Sequence, residues 1–328
     1  MKKVISIVLM MVISLFSVTG CNSGAQESVL PTAEPVDLTL GALSGYCAMS
    51  MTGIINSGEY GDVEIAETAD ELKTMFINGE IDIATVPLNM AGKLYNETEG
   101  NVRLFAVTNL CALNILDCTG EVKNIADLAG KTVYSYQQGM TEEYILNYIL
   151  MRNDITDKVT VEYKANYDEL LAAVISGEAE TIMLPQPQTA SLLENTKGHS
   201  TDINVVVDLN NEWLNITSSI IAQGCLIVKA DFAEANEQAI KSFISSFGDS
   251  VEFINEDTDA AAQIMADTGI TENKSIALNS VEAANIVCVV GTPMLEMARN
   301  TVEILYGMDA QSMGGEIPGN ELYLTYEE

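Results

Sequence analysis

Two stretches of the chain share one pattern of apolar and polar positions. From Thr68 to Pro87 the apolar residues Leu72, Met75 and Phe76 recur at i, i+3 and i+4, and from Asn166 to Pro185 Leu170, Ala173 and Val174 do the same. In each, a residue able to cap a helix (Thr68 or Asn166) stands three positions before a glutamate (Glu71 or Glu169), which predicts a helix start of the capping-box type. Gly79 and Gly177 fall where a helix stops on a left-handed residue. A short strand then runs to Pro87 or Pro185, where a sheet ladder loses its donor. The stretches align without a gap: Asp70 with Asp168, Glu71 with Glu169, Leu72 with Leu170, Ile77 with Ile175, Gly79 with Gly177 and Glu80 with Glu178. A helix, tight turn and strand recurring in separate parts of the chain predict an α/β protein of two lobes. In open α/β sheets the loop at a strand's carboxyl end is where ligands sit. The loops after Pro87 and Pro185 are therefore expected to face each other across a cleft.

The remaining pattern fills in the lobes. Asp37–Ala42 alternates as a first strand and leads through Leu43, Ser44, Gly45, Tyr46 and Cys47 into a helix ending near Asn56. Val63–Glu67 predicts the next strand, and Leu88–Tyr95 a short helix. Val102–Leu116 is a β-type run longer than an average strand. It reads as a crossing segment with a hinge at Thr108–Cys111. Ile125–Tyr134 gives a helical turn, a bend at Gly130-Lys131 and a strand. Tyr136-Gln137-Gln138-Gly139-Met140-Thr141 then opens a helix carrying Tyr144, Ile145, Tyr148 and Ile149. Trp213, the lone tryptophan, is placed in the core. Ser218–Val228 is a return strand beside the first hinge, and helices are expected at Asp231–Asn255, Asp259–Thr268, Val281–Val290 and Pro293–Tyr306. Residues 36–109 with 225–328 make the first lobe and 110–224 the second, each a mixed sheet flanked by helices and joined by two hinge crossings.

The N-terminus adds a compartment. Lys2 and Lys3 precede an apolar run from Val4 to Val18, and small residues follow before Cys21, as in a signal segment over 1–20. The run is too short to span a bilayer. Polar residues 21–35 form a flexible tether. The ending Val18-Thr19-Gly20-Cys21 resembles a bacterial lipobox, which implies a lipid on Cys21 that anchors the mature protein to the outer, extracytoplasmic face of the cell membrane.

Composition narrows the chemistry. With 47 acidic and 15 basic residues and a formal charge of -32, the surface repels nucleic acid and anionic headgroups. Cys47, Cys111, Cys118, Cys225 and Cys288 are odd in number and lack metal-ligand spacing; most are expected as buried thiols, with no metal site. The single histidine, His199, lies in a polar loop, so no nucleophile has a convincing base. Glu80 and Glu178 follow capping glycines and read as solvated turn residues. No phosphate-binding glycine motif stands at a strand-to-helix junction. These features argue against an enzyme.

Three motifs, Ile125-Ala126-Asp127-Leu128-Ala129-Gly130-Lys131-Thr132-Val133, the doubled turn Ile77-Asn78-Gly79-Glu80 and Ile175-Ser176-Gly177-Glu178, and the loop Leu43–Cys47, resemble the type II periplasmic-binding-protein family. More narrowly, they resemble substrate-binding lipoproteins of ABC importers in the sulfonate, nitrate and thiamine-pyrimidine group. The resemblance implies a two-lobed clam that captures a small-molecule solute and delivers it to a permease driven by a cytoplasmic ATPase. It implies a monomer without cofactor. Carried over, the ligand loops fall on Leu43, Ser44, Gly45, Tyr46 and Cys47; on Pro87 to Asn89; on Thr108 and Asn109; on Gln137, Gln138, Gly139, Met140 and Thr141; on Pro185 to Pro187 with Gln186; and on Gln223. Many relatives carry a lysine in the first loop, which this chain lacks. None of these loops contains an ionisable Lys, Arg, Asp or Glu, so the expected solute is neutral, or a monoanion held by helix N-terminal N–H groups. Tyr46 and Tyr136 could stack on a planar ring with Asn89, Gln138 and Gln223 reading its edge; core packing is the open alternative for both tyrosines. Two rivals remain, a pyrimidine-synthase-type enzyme on the same fold with Cys47 as its only reactive candidate, and a sensor or adhesion lipoprotein without transport.

Overall fold

Each copy of the repeat folds as its pattern requires, and the two are capped in the same way. In this computed structural model, which describes residues 37–199 and 202–326, the helices are Ala69–Asn78 and Tyr167–Ser176. Thr68 Oγ1 accepts from Glu71 N at 3.2 Å, and Asn166 Oδ1 accepts from Glu169 N at 2.9 Å. The glutamates reach back one residue beyond the cap, to Glu67 N and Ala165 N, both at 3.2 Å. At the other end Gly79 and Gly177 have φ of 81° and 79°, which only glycine adopts without strain. Glu80 N bonds to Met75 O and Glu178 N to Ala173 O, completing the Schellman pattern. Leu72, Phe76, Leu170 and Val174 are buried beneath the helices. The signal segment, Cys21 and the tether lie outside the described residues.

The described residues contain eleven strands in two mixed sheets. They are β1 (Leu40–Leu43), β2 (Val63–Ala66), β3 (Ile83–Pro87), β4 (Val102–Leu110), β5 (Leu113–Asp117), β6 (Thr132–Ser135), β7 (Thr160–Tyr163), β8 (Thr181–Pro185), β9 (Asn204–Asp208), β10 (Ala222–Lys229) and β11 (Ile286–Val289). The first sheet has the order β11-β4-β10-β3-β1-β2 and the second β7-β6-β8-β5-β9. Within them β2-β1-β3-β10 and β7-β6-β8-β5 match strand for strand: the first three are parallel, and the fourth is antiparallel to the repeat's strand. The repeat seen in sequence is therefore the visible part of a repeated half-sheet.

The long β-type run is cut in two. It forms β4 in the first sheet and β5 in the second, and the chain changes sheet at Cys111–Ala112. There Cys111 N bonds to Ile221 O, and Ala112 N donates to Gln223 Oε1. The return crossing leads into β10, whose Ala222 pairs with Leu110, so the crossings lie side by side. One apolar cluster continues through them, from Val107 by way of Cys111 and Leu113 to Ile115 and Met183. Burial there removes apolar surface from water on both lobes at once.

One local expectation gives way beside β4. Val281–Val290, expected as a helix, is the end of Lys274–Val281, a short 3-10 turn and then β11. Asn285 takes a left-handed φ of 47°, which ends the helix, and the β-branched Ile286, Val287, Val289 and Val290 favour the open edge beside β4. The polar approach to the return strand forms β9 and the helix Leu209–Thr217, started by Asp208 Oδ1 accepting from Asn210 N at 2.8 Å. Its Trp213 is fully buried against Tyr148, ring centroids 4.8 Å apart. Cys47, Cys111 and Cys225 are buried free thiols. Among the described residues no helix is long and apolar enough to cross a membrane.

Gly224 is the tightest point of the crossing. A Cβ there would lie 2.7 Å from Asn109 Oδ1 and 2.9 Å from Thr108 Oγ1. Gly224→Ala is expected to cost about 1–3 kcal/mol, measured as a lower urea midpoint at unchanged slope; an unaltered midpoint would show that the crossing yields freely.

Candidate functional site

The cleft between the sheets is built by loops that sequence places at strand ends. The turn after Pro87 opens the helix Leu88–Glu97, and its Asn89 reaches the other lobe: Nδ2 donates to Gly139 O at 2.9 Å, and Oδ1 accepts from Thr141 Oγ1 at 3.0 Å. Lys93 Nζ donates to the same carbonyl at 3.0 Å. The turn after Pro185 sets Gln188 against Gly45, where Nε2 lies 3.3 Å from the place of a Cβ. Gly45 has φ of 91°, so the close approach rests on glycine. Each proline turn thus meets the glycine loop of the opposite lobe, where the sequence reading set the two proline turns face to face.

Several predicted ligand side chains are committed to the protein itself. Thr108 and Asn109 are fully buried; Thr108 Oγ1 donates to Asn109 Oδ1 at 2.8 Å, and Asn109 Nδ2 donates to Tyr46 O and Ala284 O. Gln186 Oε1 accepts from Ala190 N at 3.3 Å. Gln223 Oε1 accepts from Ala112 N and its Nε2 donates to Glu142 Oε1, each at 2.7 Å. Leu43, Cys47 and Pro87 are buried in strand and helix, while Gln138 is exposed. Burial pushes the Cys47 thiol well up, which keeps it protonated. Met140 lines a separate cavity of about 400 Å³ with Asn89, Lys93 and Tyr144.

What remains available is a set of buried polar atoms without partners: Tyr46 Oη, Ser135 Oγ, Gln137 Oε1, Gln188 Oε1 and Glu142 Oε2. They come from both lobes, and buried polar atoms are ordinarily paired. Of these residues Gln188 lines a cavity of about 430 Å³, together with Ser44, Gly45 and Tyr136. The Tyr136 phenol is raised far above the ordinary range, first by burial and then by the charge of Glu142, with Glu67 on the cavity wall adding to it.

Glu142 is the residue that sequence reasoning missed. The last candidate loop position is Thr141, one residue before it, and an acid in the first turn of Thr141–Arg152 reads as a surface complement to the helix dipole. Instead it is 0 % exposed. Burial raises its carboxyl pKa above the usual range, while its own backbone N–H, Gln223 and Tyr46 pull it partly back. The Tyr46 phenol approaches the carboxyl and is itself raised well up by burial, yet the two complete no hydrogen bond of acceptable geometry. The premise that the cleft loops carry no ionisable group fails at this position. Gln188, one residue past the predicted Pro185–Pro187 loop, was missed as well; its place directly after Pro185-Gln186-Pro187 was the available signal.

At the cavity mouth the lobes are tied together. Glu272 accepts from Ser191 Oγ at 2.5 Å and from Asn195 Nδ2 at 3.1 Å, and Ser275 Oγ donates to Glu194 at 3.2 Å.

A family model described as menaquinone biosynthesis matches residues 46–279. The chain belongs to this family. Among solved structures it is similar to an ABC transporter protein from Parabacteroides distasonis, at 16% identity and a TM-score of 0.75 over 90% of this chain and 100% of that one. It is similar also to the alkanesulfonate-binding protein SsuA from Xanthomonas axonopodis pv. citri bound to MOPS (13% identity, TM-score 0.68, 90% and 100% covered). The periplasmic aliphatic sulphonate binding protein SsuA from Escherichia coli gives 13% identity and a TM-score of 0.69 over 89% and 93%. No curated protein sequence matches. The member of the menaquinone-biosynthesis family described here thus has the two-lobed type II periplasmic-binding-protein fold.

The raised carboxyl has a pH signature. Between the ordinary glutamate pKa of about 4.3 and the higher folded value, the folded state keeps a proton that the unfolded state has lost. Stability therefore falls as pH rises through that window. Glu142→Gln removes this dependence, so the variant's melting temperature is expected to gain on the wild type from pH 4 towards neutrality and then level off. A difference that does not change with pH would show that Glu142 does not carry the burial cost.

Proposed function

We propose that this protein is an extracytoplasmic solute receptor of an ABC importer, tethered through a lipid on Cys21, that closes on a small organic solute and hands it to a permease. The observation carrying the reading is the set of unpartnered buried polar atoms contributed by both lobes beside two adjacent crossings. A solute touching both sides would satisfy them only in the closed form, and that difference in contacts is what drives a hinge equilibrium. The cavity of about 430 Å³ is of a size that takes small ligands. Relatives in fold that bind sulfonates support the role. The lipid anchor, which rests on the N-terminal sequence, and the working monomer, which rests on the resemblance, are both part of the proposal.

A second reading has one observation in its favour, the match to a family described as biosynthetic. On that reading Glu142, with its raised pKa, would serve as acid or base, and Cys47 would not act as a thiolate. Native mass spectrometry of the protein purified from its membrane, followed by analysis of the released molecule, separates the two. A bound small molecule that is recovered unchanged after prolonged incubation is the expected result. Its conversion to another compound would replace the receptor with a synthase-type enzyme.

A further inference from the structure

We propose that the solute presents an N–H-bearing cationic nitrogen, an ammonium or amidinium, to Glu142 Oε2, with the Tyr46 hydroxyl beside it. This deepens the receptor reading and rests on it. Glu142 and Tyr46 are 0 % and 3 % exposed and come from opposite lobes, and Glu142 Oε2 and Tyr46 Oη both lack a partner. Gln223 Nε2 holds the other carboxylate oxygen at 2.7 Å. The carboxyl is thus oriented, with one acceptor position left over. A cationic N–H donor fills that position with a charge-assisted bond and compensates the buried charge at the same time.

The surroundings agree in sign. Glu67, Asp168 and Glu272 line the adjoining cavity, and no Lys, Arg or His does. Two of the helix starts bordering it offer little to an anion: Thr68 and Asn166 already accept from Glu71 N and Glu169 N, and each first turn carries two acids, Asp70 with Glu71 and Asp168 with Glu169; the starts at Gly45 and Pro187 carry no side-chain cap and no acid. Lys93, which reaches towards the second lobe, spends its ammonium on Gly139 O. An oxyanion entering this site would meet carboxylates where it needs donors, and its burial would go uncompensated.

The test uses the mature full chain in thermal-shift and calorimetric titrations. Probes are agmatine, benzamidine and 4-aminopyridine as N–H cations, choline as a cation without N–H, MOPS, methanesulfonate and nitrate as sulfonate and oxyanion probes, and uracil and glucose as neutral solutes. Binding is expected within the N–H cation group. It should weaken about ten- to a hundredfold in Glu142→Gln, the range for losing a hydrogen bond to a charged group, and less in Tyr46→Phe, with circular dichroism unchanged in both. Binding confined to the sulfonates, oxyanions, neutral solutes or choline, or equal affinity in Glu142→Gln, overturns the inference and leaves the receptor standing. If no class binds, both fall.

Discussion

Gln223 is the constraint on which the rest of the molecule turns. Its carbonyl oxygen accepts from Ala112 N, where the chain leaves the first sheet for the second, and its amide donates to Glu142 on the second lobe. One fully buried side chain at the start of β10 therefore fixes the first crossing against the return crossing and aims the cleft carboxyl. A side-chain amide suits this task because it offers an acceptor and donors on one rigid plane. Around it, Asn109 ties the same crossing to the first residue of the Tyr46–Ser50 helix. The crossing and the site are thus one buried hydrogen-bond network, where a missing partner is costly.

The two lobes are variations on one half-sheet, and the differences between them bear on function. Both repeat helices are capped, stopped and buried alike. Their flanking loops diverge: the first lobe presents Ser44, Gly45 and Tyr46, and the second presents Tyr136, Gln137 and the buried Glu142. The repeat holds the loops in register across the cleft, and the loops carry the chemistry. Contacts at the rim, from Glu272 to Ser191 and Asn195, add polar bonds that exist only when the lobes are together.

Much of the fold was legible because local rules left little choice. Thr68, Asn166, Gly79 and Gly177 mark helix ends by their own hydrogen bonds and dihedral angles, whatever surrounds them. The crossing was legible as a β-run too long for one strand. Other parts were hidden where distant partners decide. Ile286–Val289 continued a helical pattern and became a strand because β4 offered an edge. Thr108, Asn109 and Gln186 look like ligand residues in a loop alignment, yet the protein uses their side chains internally. Glu142 was the costliest omission, since nothing in its neighbours distinguishes a buried acid from a solvated one at a helix start.

By itself the sequence determined the repeated capped helix, glycine turn and strand and the two-lobed α/β class, which rest on short-range patterns of sterics, hydrogen bonding and hydropathy. Only the tertiary structure decided which groups face the cleft and with what charge. Burial, pairing and electrostatic sign at Tyr46, Glu142 and Gln223 depend on residues 63 to 175 positions apart being brought within bonding distance or denied it, and no local pattern encodes that.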